Sequence, residues 1–362
     1  MIPATEHPAR WWHALDDGRI QCDLCPRLCR LKEGQRAFCF VRQRVGNRMV
    51  LTTYGRSTGF CIDPIEKKPL YHFLPGSAVL SFGTAGCNLG CRFCQNWQIS
   101  KCRATNALAD TATPEAIAQA ARANGCAAVA FTYNDPIVFA EYAIDTAEAC
   151  RRAGIRTVAV TSGFISALAR PEFFAPMDAA NVDLKGFTAK FYDEVCLSRP
   201  GGLQDVLDTL VWLRAHTKVW LEVTTLLIPG LNDSDDEIRA EATWLRRELG
   251  PDVPLHFSAF HPDFRMLDRP PTPAATLQRA RDLARACGLE FVYTGNIADE
   301  AGQSTWCPRC GDLLVERRAY DIDRYRLDAT ARCPRCSAPI AGVFADRPGR
   351  WGTHRRPVHI AE

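Results

Sequence analysis

Long apolar runs are missing from this 362-residue sequence. No stretch reaches 18 uninterrupted apolar residues, so the sequence predicts no transmembrane helix. The N-terminal residues lack a basic region followed by an apolar run, which argues against a secretory signal. We therefore expect a cytoplasmic protein with no membrane partner.

A strong excess of charge of one sign is also missing. The formal net charge is +3 at pH 7, and the two ends of the chain are only mildly basic. Neither end has the Lys/Arg density of a nucleic-acid-binding arm, and the sequence shows no interleaved aromatic and basic patch. The composition, 47% hydrophobic and 23% charged, is typical of a soluble globular protein. These observations count against a nucleic-acid partner.

Cysteine, in contrast, is abundant, with 17 residues. Without an evident secretory signal, this abundance favours metal binding or catalysis over disulfides. Eleven of the cysteines form three groups: Cys22, Cys25, Cys29 and Cys39; Cys87, Cys91 and Cys94; and Cys307, Cys310, Cys333 and Cys336. The other six are isolated and are interpreted as small buried apolar residues: Cys61, Cys102, Cys126, Cys150, Cys196 and Cys287.

The central part of the chain, residues 76–296, alternates strand-like and helix-like patterns. The strand candidates are apolar on both faces, as in a covered parallel sheet. They span residues 78–82, 127–133, 155–160, 181–184, 219–228, 255–260 and 289–293. Helix starts are indicated by Thr113-Pro114 and by a capping box of Ser234 and Glu237. The alternation predicts an α/β fold, either a parallel barrel or a doubly wound sheet.

Cys87, Cys91 and Cys94 form a CxxxCxxC loop directly after the first predicted strand. Thiolates are the natural ligands of iron–sulfur clusters, and a [4Fe-4S] cluster normally takes four. Three closely spaced ligands would leave one iron open to another molecule. The alternatives are a zinc site short of one ligand and three unrelated buried thiols.

The two flanking cysteine groups also suggest metal sites. Cys307, Cys310, Cys333 and Cys336 form two CxxC knuckles, which favour structural zinc over a rubredoxin-like iron. The spacing of Cys22, Cys25, Cys29 and Cys39 is less specific. It fits zinc, a second iron–sulfur cluster, or a Cys-rich loop without metal.

The CxxxCxxC loop, with Phe93 before its last cysteine, resembles the defining motif of the radical S-adenosylmethionine (SAM) superfamily. The resemblance implies a partial (β/α)6 barrel with an N-terminal Cys-rich segment and a C-terminal zinc-ribbon-like appendage. It also implies that the open iron binds the amino and carboxylate groups of SAM. Cleavage of SAM at the cluster then gives methionine and a radical that abstracts hydrogen, while the protein positions the reactants.

Polar residues follow several predicted strands, where α/β folds carry their functional groups. Asn134 and Asp135 occupy the place of the family's Gly-Gly-Glu-Pro motif, although neither glycine is present and Asp replaces Glu. Asp183 and Lys185 match an Asp-Leu-Lys motif of glycyl-radical activating enzymes, and His261 matches a SAM-contacting histidine. The SAM-binding residues implied by the resemblance are Phe93, Asn134, Asp135, Ser162, Asp183, Lys185 and His261.

Together, the three cysteine groups resemble the radical SAM enzymes of AmmeMemoRadiSam systems, which are related to pyruvate formate-lyase activating enzyme. We expect an N-terminal Cys-rich segment (1–60), a radical SAM core (61–299), a zinc-ribbon or rubredoxin-like module (300–350) and a tail (351–362).

The leading functional hypothesis is an activating-enzyme-like oxidoreductase that abstracts hydrogen from a protein or peptide, for example to generate a glycyl radical. A flavodoxin or ferredoxin would supply the electrons. One alternative is a radical SAM enzyme that modifies RNA, because zinc ribbons often accompany nucleic-acid enzymes. Another is a non-catalytic Fe–S electron carrier, although a carrier has no use for an open iron.

Overall fold

The N-terminal part of the chain is built from short antiparallel strands. The structure is a computed structural model that describes residues 6–103 and 110–360. The first eight strands are β1 (His7–Pro8), β2 (Trp12–Ala14), β3 (Ile20–Cys22), β4 (Arg30–Leu31), β5 (Arg42–Val45), β6 (Arg48–Leu51), β7 (Arg56–Ser57) and β8 (Phe60–Pro64). The first five residues of the predicted Cys-rich segment and the last two of the predicted tail lie outside the described residues.

Strands and helices alternate through the central part of the chain. The strands are β9 (Ala78–Phe82), β10 (Asp110–Thr111), β11 (Ala128–Phe131), β12 (Arg156–Thr161), β13 (Ala179–Asp183), β14 (Trp220–Leu227), β15 (Leu255–Ala259) and β16 (Val292–Gly295). The helices are α1 (Trp97–Ser100), α2 (Pro114–Ala123), α3 (Ala140–Arg152), α4 (Arg170–Phe174), α5 (Ala189–Glu194), α6 (Gly202–His216), α7 (Asp235–Glu248) and α8 (Ala274–Ala286), with 3₁₀ turns at Ile65–Lys67 and Pro136–Phe139. None of the described helices is long and apolar enough to cross a membrane.

The main sheet positions the candidate site. Seven of its strands are parallel, in the order β16-β15-β14-β13-β12-β11-β9. All residues of β9 and β11 are buried, as expected where both faces of a parallel sheet are covered. Because the strands are parallel and lie in register, their carboxyl ends meet at one edge, where α/β folds bind ligands.

The predicted α/β class with a parallel sheet is confirmed, and each predicted strand overlaps an observed one. The sheet has seven parallel strands, one more than the expected (β/α)6 arrangement, and two antiparallel strands at its other edge. These are β8, which pairs with β9, and a C-terminal strand that pairs with β8.

Helix starts follow the predicted capping signals with one difference. The Thr113 side chain accepts a hydrogen bond from Ala116 N at 3.2 Å, and Ser234 caps α7 in the same way. The predicted capping box is incomplete, because Glu237 Oε1 accepts from the backbone N–H of Phe187 at 2.7 Å. Glu237 thus ties the start of α7 to the loop after β13.

The C-terminal part packs against the main sheet. Its elements are α9 (Glu300–Gln303), β17 (Thr305–Trp306), β18 (Leu313–Arg318), β19 (Asp321–Tyr325) and β20 (Arg356–Val358). Strands β17, β18 and β19 form a small antiparallel sheet, whose apolar cluster includes Phe291 and Tyr293 from the central part and Tyr71 before it. Within the sequence predicted as a tail, β20 extends the main sheet by pairing with β8. The ribbon-like segment and the main sheet therefore share an apolar cluster.

Candidate active site

A cavity of about 840 Å³ lies at the carboxyl ends of the parallel strands. The loop that follows β9 brings Cys87, Cys91 and Cys94 to its wall, together with Phe93. Phe93 is buried and packs against Phe191 at a ring-centroid distance of 6.0 Å. The cavity volume falls within the range usual for small-molecule sites, about 300–1,000 Å³.

Asn134 holds the loop that leads to Cys87. Its Oδ1 accepts a hydrogen bond from Thr84 N at 2.9 Å, and its Nδ2 donates to Gly86 O at 2.8 Å and Ala85 O at 3.1 Å. A Cβ atom on Gly83 would collide with Thr132 O and the Asn134 amide, so glycine permits this close approach. Asn134 lines the cavity, but its amide groups are directed at the protein backbone.

Asp135 ties the end of β11 to the end of β12. Its carboxylate accepts hydrogen bonds from Thr161 Oγ1 at 2.9 Å, Ser162 N at 3.0 Å and Ile137 N at 3.1 Å, and also from Ser162 Oγ. Burial raises the pKa of this carboxyl group, although the same hydrogen bonds oppose the shift. Asp135 and Ser162 thus reach the cavity as a bonded pair rather than as two free groups.

Asp183 and Lys185 form an ion pair on the cavity wall, with Lys185 Nζ 2.7 Å from Asp183 Oδ2. Burial alone would lower the pKa of Lys185, but the charges of Asp183 and Cys91 hold it above its ordinary value. A hydrogen bond with Cys196 lowers the pKa of Cys91, and Lys185 contributes in the same direction. The surroundings therefore favour the thiolate form of Cys91, which is the form that binds metal.

His261 does not join these residues. Strand β15 ends at Ala259, and the chain then turns so that Phe260 N bonds Thr272 Oγ1 at 3.0 Å. His261 is exposed and is not among the residues that line the cavity. The histidine that lines it is His256, on β15, whose Nε2 lies 2.7 Å from Glu222 Oε2.

Sequence reasoning also missed the residues that form the cavity wall along the strands. Thr224 and Leu226 on β14, and His256 and Ser258 on β15, all line the cavity. Each pair is two residues apart, and alternate residues of a strand point to the same face. This alternation near the strand ends is the sequence signal from which these cavity residues could have been predicted.

A third group of lining residues comes from distant parts of the sequence. Tyr320 and Arg355, from the C-terminal part, line the cavity together with Lys68 and Tyr133. Tyr133 Oη donates to Asp63 Oδ2 at 2.7 Å, and Lys68 Nζ lies 2.7 Å from the same oxygen. Burial lowers the pKa of Lys68 to about 8, against the attraction of Asp63. Of these residues only Tyr133, at the end of a predicted strand, lay in a sequence pattern that pointed to the site.

The donor set fits a [4Fe-4S] cluster with an open iron. Three thiols of one loop line a cavity with room for a further ligand. Their sulfur atoms do not all lie within 4.8 Å of one another, so they are more widely spaced than the ligands of a single ion. Within residues 6–103 and 110–360, only the C-terminal cysteines form a group of three or more whose sulfur atoms all lie within 4.8 Å of one another. The adjacent Asp183 and Lys185 provide both charges needed to bind a zwitterion such as the methionine end of SAM.

The C-terminal cysteines form a compact four-sulfur site. Cys307 Sγ and Cys336 Sγ are 3.6 Å apart, as are Cys310 Sγ and Cys333 Sγ. A tetrahedral ion with metal–sulfur bonds of about 2.3 Å requires sulfur atoms about 3.8 Å apart. The geometry therefore fits a closed zinc or iron site.

Comparisons with known proteins agree with this arrangement. The family model described as Radical SAM superfamily matches residues 82–242. An uncharacterized protein of Methanocaldococcus jannaschii is 40% identical over 333 residues, which cover 92% of this chain and 98% of that protein.

Two solved structures are more distant. A radical SAM methyltransferase from Sphaerobacter thermophilus has 18% identity and a TM-score of 0.46, over 85% of this chain and 81% of its own. A domain of pyruvate-formate lyase-activating enzyme from Bacteroides vulgatus has 17% identity and a TM-score of 0.41, over 47% of this chain and 99% of its own. By its family match and its extended similarity to the archaeal protein, the chain belongs to the radical SAM superfamily, whose cofactors are a [4Fe-4S] cluster and SAM.

Proposed function

We propose that the protein cleaves SAM reductively at a [4Fe-4S] cluster held by Cys87, Cys91 and Cys94, and that it abstracts hydrogen from a protein or peptide. The observation that carries this proposal is the position of the three thiols. They lie on one loop, at the wall of a cavity large enough for a further ligand, where the strand ends meet. When bound, the cofactors supply hydrogen abstraction, with methionine and 5′-deoxyadenosine as products.

The protein's own groups hold the reactants in place. Asn134 fixes the backbone that leads to Cys87, so the first thiol enters the cavity in a defined position. Lys185 favours the thiolate form of Cys91, and its pair with Asp183 presents one cation and one anion to the ligand. Because these charges are already in position, binding of a zwitterion requires little reorganisation of the site.

The wall of the cavity combines apolar and polar side chains from several segments. Phe93, Leu226 and the buried His256 line it, and Tyr320 and Arg355 contribute from the C-terminal part. Apolar walls that carry a few placed polar groups are usual in sites that bind and orient small molecules.

A macromolecular substrate is supported by the surface beside the cysteine loop. Trp97 is 38% exposed and stacks on Phe264 with ring centroids 5.5 Å apart. Trp97 Nε1 also donates to Asp263 Oδ1 at 3.0 Å, which fixes the ring. An exposed, ordered aromatic pair next to a catalytic loop is suited to contact a chain that enters the cavity.

RNA is the second candidate substrate, and the same surface favours it. Arg265 lies over the ring of Phe264 at 5.2 Å, and Arg92 is exposed nearby on the cysteine loop. Aromatic rings with neighbouring arginines are the elements used to bind single-stranded nucleic acid.

One experiment tests the activity and separates the two substrates. The anaerobically reconstituted enzyme is mixed with SAM, dithionite and either the protein or the RNA fraction of cells grown in heavy water. Mass spectrometry then measures deuterium in 5′-deoxyadenosine. We expect deuterium transfer from the protein fraction. Transfer from RNA alone would favour the second candidate substrate. Full SAM cleavage by Cys91→Ala would refute the proposed cluster site, and Cys287→Ala is the control that should keep this activity.

A further inference from the structure

Four thiols near the N-terminus line a second, small cavity that the proposed reaction does not use. Its lining includes Cys22 at the end of β3, Cys25 and Cys29 in the turn to β4, and Cys39 before β5. The backbone holds the turn closed, since Cys22 N donates to Cys29 O at 2.9 Å. All four cysteines are free thiols.

The spacing of these thiols differs from that of the C-terminal site. No three of the four bring their sulfur atoms within 4.8 Å of one another, whereas all four C-terminal sulfurs do so. A single zinc ion requires sulfurs about 3.8 Å apart. An occupant with several metal atoms, each binding one thiolate, suits the wider arrangement.

A buried cation faces the same cavity with one donor unused. Arg42 is 1% exposed, lines the cavity, and bonds Glu141 through Nη2 and Arg10 O through Nη1. Among the described residues, its Nε has no hydrogen-bond partner. An unpaired buried N–H costs about 1–3 kcal/mol, so an acceptor in the cavity is expected. Cluster sulfides and their thiolates are such acceptors.

The second cavity adjoins the loop of the candidate active site. Asn88, which follows Cys87, lines it, and the Arg27 guanidinium donates to Asn88 O. The backbone of Gly86 touches Cys39 O so closely that a Cβ atom on Gly86 would collide with it. One peptide segment therefore separates the two groups of thiols.

From this spacing, the unused buried donor and the four available thiolates, we propose that Cys22, Cys25, Cys29 and Cys39 bind a second [4Fe-4S] cluster. Each iron then has one protein ligand, so this cluster has no open iron and does not bind SAM. The site is distinct from the SAM-binding one and does not depend on the substrate proposed above.

The test uses the full-length protein with Cys87→Ala, Cys91→Ala and Cys94→Ala combined, which removes the thiols of the candidate active site. Acid-labile sulfide is the decisive measurement, because neither a zinc ribbon nor a rubredoxin-like iron contains it. We expect about eight sulfides per chain in the wild type and about four in this variant, with a Mössbauer spectrum of a [4Fe-4S] cluster. Addition of SAM should leave the electron paramagnetic resonance spectrum of the reduced variant unchanged.

A second variant keeps the proposal testable if the first one does not fold. Cys25→Ala combined with Cys29→Ala should lower wild-type sulfide from about eight to about four per chain, while Cys287→Ala should change nothing. Two zinc ions per chain and no sulfide in the first variant would overturn the proposal. Unchanged sulfide in the second variant would also overturn it. Neither readout uses SAM cleavage, so failure of the proposed activity leaves this result interpretable.

Discussion

Replacement of Asn134 by alanine tests two roles of this residue. Its observed hydrogen bonds indicate that it positions the cysteine loop, whereas the family resemblance implies that it contacts SAM. The change removes three hydrogen bonds to buried backbone groups of Thr84, Ala85 and Gly86. Each buried group left without a partner costs about 1–3 kcal/mol, and some of the groups will find others. We therefore expect Asn134→Ala to lower the free energy of unfolding by about 3 kcal/mol and to reduce the iron bound after reconstitution.

The measurements are urea unfolding of the metal-free protein and iron per chain after anaerobic reconstitution. Asn124→Ala is the control, because the Asn124 side chain lies away from the cysteine loop. Its Nδ2 donates to Ala120 O at 2.8 Å, and its Oδ1 accepts an exposed hydrogen bond from Arg356 at 2.7 Å. We expect this control to change stability by less than about 1 kcal/mol and to leave iron content intact. An Asn134→Ala protein with normal stability and iron, but weaker SAM binding, would refute the positioning role.

Three further predictions follow from the same geometry. Asp183→Ala and Lys185→Ala should each weaken SAM binding about ten- to a hundredfold at normal iron content, as measured by calorimetry. Lys190→Ala is the surface control, and unchanged affinity in both variants would exclude the pair from the ligand site. Cys310→Ser should lose one metal ion per chain by elemental analysis and should expose residues 300–350 to protease, so an unchanged metal content would contradict the compact four-sulfur site. Burial raises the pKa of Glu241 to about 8 from 4.5, so between these pH values the folded state keeps a proton that the unfolded state loses. The free energy of unfolding should therefore fall by about 1.4 kcal/mol for each unit that the pH rises between these values. Urea titrations of Glu241→Gln should not show this slope.

The strands of the main sheet were predictable because the physics that forms them is local. Their residues are apolar on both faces, and only burial between two layers stabilises such a pattern. β9 matches its prediction at both ends, Ala78 and Phe82. β20 was not predicted, since Arg356-Pro357-Val358 has no apolar alternation, and its pairing with β8 depends on the path of the preceding C-terminal segment.

Residues after strand ends were predictable in position but not in orientation. Asn134 and Asp135 lie at the expected edge of the sheet, yet their polar atoms bond neighbouring backbone and side-chain groups. His261 follows β15, but the chain turns away before it reaches the cavity. A side chain's direction after a strand depends on the next few backbone angles and on tertiary partners such as Thr272, which the local sequence does not define.

Arg317 illustrates why the packing of the C-terminal part against the main sheet could not be recognised from the sequence. It is fully buried, and its guanidinium donates to Tyr71 O at 2.7 Å and Thr305 Oγ1 at 2.8 Å, with Glu66 3.7 Å away. An arginine in a sequence is normally interpreted as exposed, because burial of an unpaired charge is costly. Its partners lie up to 246 residues away, so no local pattern indicates them.

The cysteine groups show which sites a sequence can determine. In a CxxC knuckle the backbone itself brings two sulfurs together, and two knuckles then complete a tetrahedron, so Cys307, Cys310, Cys333 and Cys336 converge as predicted. The cavity beside Cys91 is different, because its wall comes from five strands, the N-terminal part and Arg355 near the other end of the chain. Cluster ligands on one loop are thus evident from spacing, whereas the groups that select and orient the substrate require the assembled fold. Substrate specificity in this chain is therefore to be sought among the cavity residues from distant segments, Lys68, Tyr320 and Arg355, rather than in the cysteine motif.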